Sequence, residues 1–276
     1  MRFEGRIPRD DVNVSRNSML GEAATLVAGI AIVVLALAVL VYGAVELVVR
    51  FLPADVEARW FRGIAAEAPG TGDPRLAPTQ ALLDRLAARW DGNPYVFRVG
   101  VMPAEAPNAL ALPGGGILVT TGLLDRVRSE NELAFVLGHE LGHFRHRDHL
   151  RGFGRRAALG LIFAALAAGG ASVSFPATVS AFTERSFDRD QEREADTFGL
   201  GLVAAEYGHV AGAEGFFQGL PDAHASVAAN VSSWVATHPV SAERIEAISV
   251  EAGARGWPTV GALTPLPPDW APPPRE

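Results

Sequence analysis

The segment His139-Glu140-Leu141-Gly142-His143 constrains this chain more than any other. Two histidines four residues apart share one face of a helix, because a turn takes 3.6 residues. On such a face two imidazoles can hold one metal ion while the glutamate between them handles the proton of a water. The pattern therefore demands a helix at 139–143 and a third ligand from elsewhere in the chain. The helix is well signalled: Ser129-Glu130-Asn131-Glu132 has the S-x-x-E form of a capping box, and the apolar run Leu133–Leu137 follows at once. Gly138 and Gly142 each cost a helix roughly 1 kcal/mol against alanine, so their presence predicts a closely approaching second helix.

Two sources of a third ligand present themselves. His149 stands ten residues after His139, but residue 146 is His146 rather than a chain-turning glycine, and every methionine (Met1, Met19, Met102) lies upstream. His146 and His149 sit among Arg145, Arg147, Asp148 and Arg151 and read as the polar end of the helix, where cations suit the carbonyl terminus. The other source is Asp190-Gln191-Glu192-Arg193-Glu194-Ala195-Asp196-Thr197-Phe198-Gly199. Glu192 and Asp196 share a face at i,i+4, and Ala195 and Gly199 are small enough for close packing on the first helix. Glu192 is the expected third ligand, with Asp196 behind it accepting a hydrogen bond from a ligand histidine, and Glu194 solvated. By itself this run is also an ordinary charged helix face.

The combination of HELGH, the ExEADxFG run at 192–199, and Thr237-His238-Pro239 followed by Ala242-Glu243-Arg244-Ile245 resembles the HtpX-like zinc metallopeptidases of family 48 over residues 75–250. Asn108–Ile117 resembles that family's strand motif before the zinc helix; Gly142, where the family commonly has alanine, departs from its pattern. The resemblance implies one Zn2+ per chain held by His139, His143 and Glu192, with Glu140 as general base. It also places His238 near the metal, where it could steady an oxyanion or fill the open coordination position; alone in sequence it reads equally as a capping or core residue. Arg244 is a candidate partner for Asp196. Asn108 and Ala109 are candidate substrate-binding residues on a sheet edge that could take an extended peptide by main-chain pairing, and Asn108 also reads as a turn asparagine.

From Ala23 to Val45 no residue is charged, about the 20 residues a helix needs to cross a bilayer. Four arginines (Arg2, Arg6, Arg9, Arg16) precede the run and three (Arg50, Arg59, Arg62) follow it, a slight bias to an N-terminus inside. This predicts a single-pass protein of the bacterial inner membrane with a periplasmic catalytic domain. A second uncharged run, 157–183, contains Gly169-Gly170 and Pro176 and is expected as a hairpin, either buried or touching lipid. A net charge of −7 without a basic patch excludes nucleic acid as a natural partner, and the absence of cysteine removes disulfides from consideration.

The expected architecture is a mostly helical α+β fold: a zincin-type metallopeptidase domain with a small antiparallel sheet, plus one N-terminal transmembrane helix. The expected divisions are a polar tail at 1–19, the transmembrane helix at 20–49, a linker at 50–78, the peptidase domain at 79–262 with a helix from Thr79 to Trp90 capped by Thr79, and a Pro-rich tail at 263–276. The expected function is hydrolysis of peptide bonds in misfolded envelope or membrane proteins. The competing expectations are a membrane-tethered chaperone or latent protease that binds unfolded segments, and an anchor that recruits partners through its tail around a structural zinc.

Overall fold

The computed structural model describes residues 19–63, 72–166, 187–218, 238 and 242–270. The polar tail at 1–18, most of the second uncharged run (167–183) and residues 271–276 lie outside them. The chain divides into two compact units, Met1–Ala44 and Val45–Glu276.

The first unit is the greater part of helix α1 (Met19–Phe51), 33 residues and roughly 50 Å long. By length and composition it can cross a membrane. Most of its leucines, valines and isoleucines are exposed, as on a helix whose solvent is lipid, while Val41, Val45 and Val49 are buried.

The second unit starts with the last turns of α1 and helix α2 (Ala54–Trp60), which falls inside the stretch expected as a linker. Glu57 of α2 is fully buried, so this segment packs into the domain. Helix α3 (Leu76–Ala88) starts three residues before Thr79. Thr79 does not cap it: its hydroxyl donates to Arg75 O at 2.7 Å from within the first turn, while Leu82, Leu83 and Leu86 face the core.

Three strands follow, β1 (Arg98–Met102), β2 (Ala109–Leu112) and β3 (Gly116–Thr120), in the order β1-β3-β2. The expected antiparallel pairing holds for β2 and β3, with Ala109 opposite Val119, but β1 runs parallel to β3, so the sheet is mixed. Gly114 and Gly115 take φ of 88° and 97° in the β2–β3 turn, a left-handed path that residues with a Cβ rarely follow. Thr120 caps the short helix α4 (Thr121–Arg126), its hydroxyl accepting from Leu123 N.

Helix α5 (Glu130–His146) carries HELGH through the centre of the domain, buried from Asn131 to Phe144. Half of its predicted capping box forms: Ser129 accepts from Glu132 N at 3.2 Å, but the Glu132 carboxylate turns to Arg128 N at 2.9 Å. Its C-cap, Arg147, is left-handed (φ 62°), alone among described non-glycine residues. Helix α6 (Asp148–Leu166) then leaves at once.

Helix α7 (Arg189–Tyr207) starts on a full capping box of Asp188 and Gln191 and lies along α5. Here the small residues act: a Cβ added to Gly138 would meet Gly199 at 3.1 Å, and one added to Gly142 would meet Ala195 Cα at 2.6 Å. Helix α8 (Gly215–Gln218) sets Phe217 edge-on to Phe135 of α5, and helix α9 (Ala242–Arg255) packs on α7 through Ile248 and Ala252.

Residues up to Trp270 in the expected Pro-rich tail belong to the domain. Thr264 O accepts from Glu130 N at 2.9 Å and Thr264 N donates to Asn131 Oδ1 at 2.8 Å, completing the start of α5. Trp270 is buried and its indole donates to Leu124 O.

Candidate metal centre

Because α5 and α7 meet at glycine and alanine, their facing side chains converge. His139, His143, Glu192 and His238 are all buried, and one ligand atom from each lies within 4.8 Å of the others. His139 Nε2 is 3.1 Å from His143 Nε2 and 3.1 Å from His238 Nδ1. Glu192 Oε1 is 3.6 Å from His143 Nε2, and Oε2 is 3.7 Å from His139 Nε2. A tetrahedral zinc with bonds of about 2.0–2.1 Å keeps its ligand atoms roughly 3.3 Å apart, so this donor set fits a metal ion of that kind.

Both α5 histidines are held from behind. His139 Nδ1 donates to Asp196 Oδ1 at 2.8 Å, and His143 Nδ1 to Asp148 Oδ2 at 3.1 Å. A carboxylate only accepts, so each pair puts the proton on Nδ1 and turns the Nε2 lone pair to the common centre. Asp196 thus lies behind the His139 ring. Arg244 of α9 donates to Asp196 through Nε (2.7 Å) and Nη2 (2.8 Å) and also ion-pairs with Glu192. Glu140 lies next to His238, Oε1 to Nε2 at 3.5 Å.

The electrostatics follow from burial and these pairs. Burial opposes ionisation of Glu192, but His238, Arg244 and His139 together hold its carboxyl well below the usual range. Burial likewise opposes the charge on Asp196, and Arg244 outweighs it and lowers the pKa. Burial pushes His139 down, and His238 down to about 4, favouring the neutral rings that ligate metals. Burial also acts against charge on His143, but the hydrogen bonds to Asp148 and Glu192 outweigh it and push this ring up to about 9.

A model of the family described as Peptidase family M48 matches residues 77–252. The chain belongs to peptidase family M48. Its similarity to individual members of that family is partial. It is 40% identical to a protease HtpX homolog of Moorella thermoacetica over 40% of this chain and 36% of that one. It is 29% identical to the mitochondrial metalloendopeptidase OMA1 of Schizosaccharomyces pombe over 63% of this chain and 52% of that one. The bovine mitochondrial metalloendopeptidase OMA1 is 32% identical over 63% of this chain and 36% of its own length. The matches thus span between about a third and a half of these relatives.

Asn108 and Ala109 sit at the start of the edge strand β2 and are buried. Asn108 is tied to its own sheet, its N–H donating to Thr120 Oγ1 at 2.8 Å and its carbonyl accepting from Thr120 N at 2.9 Å. His149, expected at a polar helix end, is fully buried and its Nε2 meets Glu57 Oε1 at 2.6 Å. Glu194 is exposed, as expected, with His146 3.9 Å away. Thr237 and Pro239 lie outside the described residues.

Three contributors escape a reading of the sequence. Asp148 reaches His143 only because Arg147 turns the chain back. Gln191 Nε2 donates to Asp148 Oδ1 at 2.6 Å, tying the start of α7 to that pair. Phe187 stacks on His143, centroids 3.8 Å apart and planes 13° apart. The D-x-x-Q form of Asp188–Gln191 was the one visible sign, since it marks a helix start beside Phe187.

Proposed function

We propose that this protein is a membrane-anchored zinc metalloendopeptidase. The observation that carries the reading is the convergence of His139, His143 and Glu192, buried and spaced as zinc ligands, with Glu140 on the same helix face. A zinc ion in that place supplies Lewis acidity, polarising a peptide carbonyl and acidifying a water.

The protein's own groups supply the rest. Glu140 accepts the proton of the attacking water and delivers it to the amine nitrogen as the C–N bond breaks. His238, its Nε2 3.5 Å from Glu140, stabilises the oxygen that gains charge once its proton moves to Nε2 from the Nδ1 that meets Glu192 Oε1 at 2.9 Å. Asp196 and Asp148 keep the His139 and His143 rings in place, and Arg244 keeps Asp196 and Glu192 ionised. Strand β2, at the sheet edge and packed on α5, offers main-chain groups from the Ala109 carbonyl onward to an extended peptide, with Asn108 tying the start of the strand to Thr120. Such pairing reads backbone rather than sequence, which suits unfolded segments of misfolded envelope or membrane proteins. The arginine bias around α1 supports an inner-membrane location with the peptidase domain in the periplasm.

The test is cleavage of casein by the purified full chain in detergent, loaded with zinc, beside Glu140→Gln. Wild type is expected to cleave, a chelator to stop it, and the variant to keep its zinc while losing at least about a hundredfold in turnover. Undiminished turnover in the variant would overturn the assignment. Zinc retained without cleavage by either protein would favour a chaperone that only binds unfolded chains.

A further inference from the structure

The turn that ends α5 binds two things at once. On one side it holds His143: Arg147 N donates to the last carbonyls of the helix, including His143 O, Asp148 holds the His143 ring, and His149 Nδ1 reaches His143 O at 3.2 Å. On the other side it holds the segment after the apolar helix. The Arg147 guanidinium donates to Val49 O at 2.6 Å, to Leu52 O at 2.5 Å and to Glu57 Oε2 at 2.9 Å. Glu57 takes His149 Nε2 on Oε1 at 2.6 Å, and its Oε2 also accepts from the Tyr95 hydroxyl at 2.9 Å. Glu57 is fully buried, and so is His149.

Residue 147 closes α5 in the left-handed conformation that helix ends commonly adopt, its N–H donating to His143 O and Phe144 O, but that place is usually taken by glycine. For an arginine that backbone conformation is unfavourable, and it persists where surrounding contacts over-determine it. Here those contacts are the carbonyls of Val49 and Leu52 and the Glu57 carboxylate. Release the guanidinium and the turn loses its reason to stay; Asp148, one residue on, then loses its fixed approach to His143.

We propose that Glu57 and Arg147 are positioning residues for the metal centre, through which the segment 49–57 at the end of the apolar helix fixes the orientation of His143. The proposal rests on the reading of His143 as a zinc ligand. Partners behind a ligand histidine commonly set metal affinity by 10–100-fold, and Glu57 stands one contact further back than Asp148.

The experiment uses the full chain in detergent and reads the zinc dissociation constant by competition with a chromophoric chelator, beside the thermal midpoint. Glu57→Gln removes the charge and keeps the shape. Arg147→Gln removes the guanidinium and keeps a side chain at 147, so the left-handed turn is left without its tie to Glu57 and is not restored by a freer backbone. Each is expected to weaken zinc binding about tenfold. Combined with Asp148→Asn, Glu57→Gln should add less than its own tenfold, since both act through one ring. Arg75→Gln breaks a different buried ion pair, with Asp73 and Asp125, and should lower the midpoint while leaving zinc binding unchanged. Zinc binding within twofold of wild type in both Glu57→Gln and Arg147→Gln would overturn the proposal, as would an equal loss in Arg75→Gln. His143→Ala separates the two levels: if it keeps full zinc affinity, the ligand assignment itself fails.

Discussion

Gly142 of the HExxH helix rests directly on the backbone of Ala195: a Cβ at 142 would stand 2.6 Å from Ala195 Cα and 2.8 Å from its carbonyl oxygen. The neighbour is main chain, so it cannot swing aside. Alanine at 142 would gain about 1 kcal/mol of helix propensity, whereas overpacking of this kind costs about 1–3 kcal/mol. The steric cost wins. Gly142→Ala is expected to lower the thermal midpoint of the metal-free protein by about 2–4 °C, read by circular dichroism, and to weaken zinc binding by shifting α5 against α7. A raised midpoint would show that the two helices part without penalty.

Glu192 is the only carboxylate in the four-residue cluster. Glu192→Ala removes the proposed anionic ligand and one of the carboxylates that pair with Arg244. Zinc content after dialysis against a chelator is expected to fall from one per chain to near zero. Full occupancy would move the third ligand to another residue, with His238 the nearest candidate.

Asp196 faces His139 on one side and Arg244 on the other, all within the interior. Asp196→Ala is expected to weaken zinc binding 10–100-fold, because the His139 ring loses the acceptor that fixes its tautomer. It should also cost about 3 kcal/mol of folding free energy, because a buried guanidinium loses a partner. Chelator competition and urea unfolding measure the two separately; an effect on stability alone would reduce Asp196 to a structural ion-pair partner.

Glu57 gives the domain a defined acid limit. Burial opposes its charge, but His149, Arg147 and Tyr95 outweigh it and lower its pKa from 4.5 to about 2. A carboxyl depressed in the folded state adds stability at pH above its unfolded value and loses it as pH falls from about 4.5 to about 2. The amount at neutral pH is on the order of 3 kcal/mol. Urea midpoints of wild type and Glu57→Gln should therefore converge as pH drops from 6 to about 2.5. A gap that stays constant over that range would mean the Glu57 charge does not carry the difference.

The chain announces the helices of the centre but not what braces them. HELGH, and Glu192 with Asp196, are legible because an i,i+4 spacing on a helix is a local property, and the small residues at 138, 142, 195 and 199 foretell the contact between the two helices. The Arg244–Asp196 pair was visible as a possibility only, since pairing across 48 residues has no local sign. The roles of Asp148 and His149 were hidden because they hang on one left-handed arginine, and that arginine answers to Val49, Leu52 and Glu57, ninety or more residues earlier. Thr79 looked like a cap because threonine often is one; the Asp73–Arg75 pairing ahead of it starts the helix sooner. Sheet order was equally out of reach, as a parallel β1–β3 pair leaves no mark in strands this short.

Thr264 completing the first turn of α5, and Arg244 charging the carboxylates around His139, both have a consequence in time. Arg244 follows His143 by about a hundred residues, which a ribosome takes roughly 5–20 s to add. Throughout that interval a nascent chain carries both histidines and Glu140 without Arg244, which holds Asp196 and Glu192 ionised. A hydrolase assembled in that order has its cutting edge sharpened last, after the segments it might otherwise attack in its own unfinished chain have found their places.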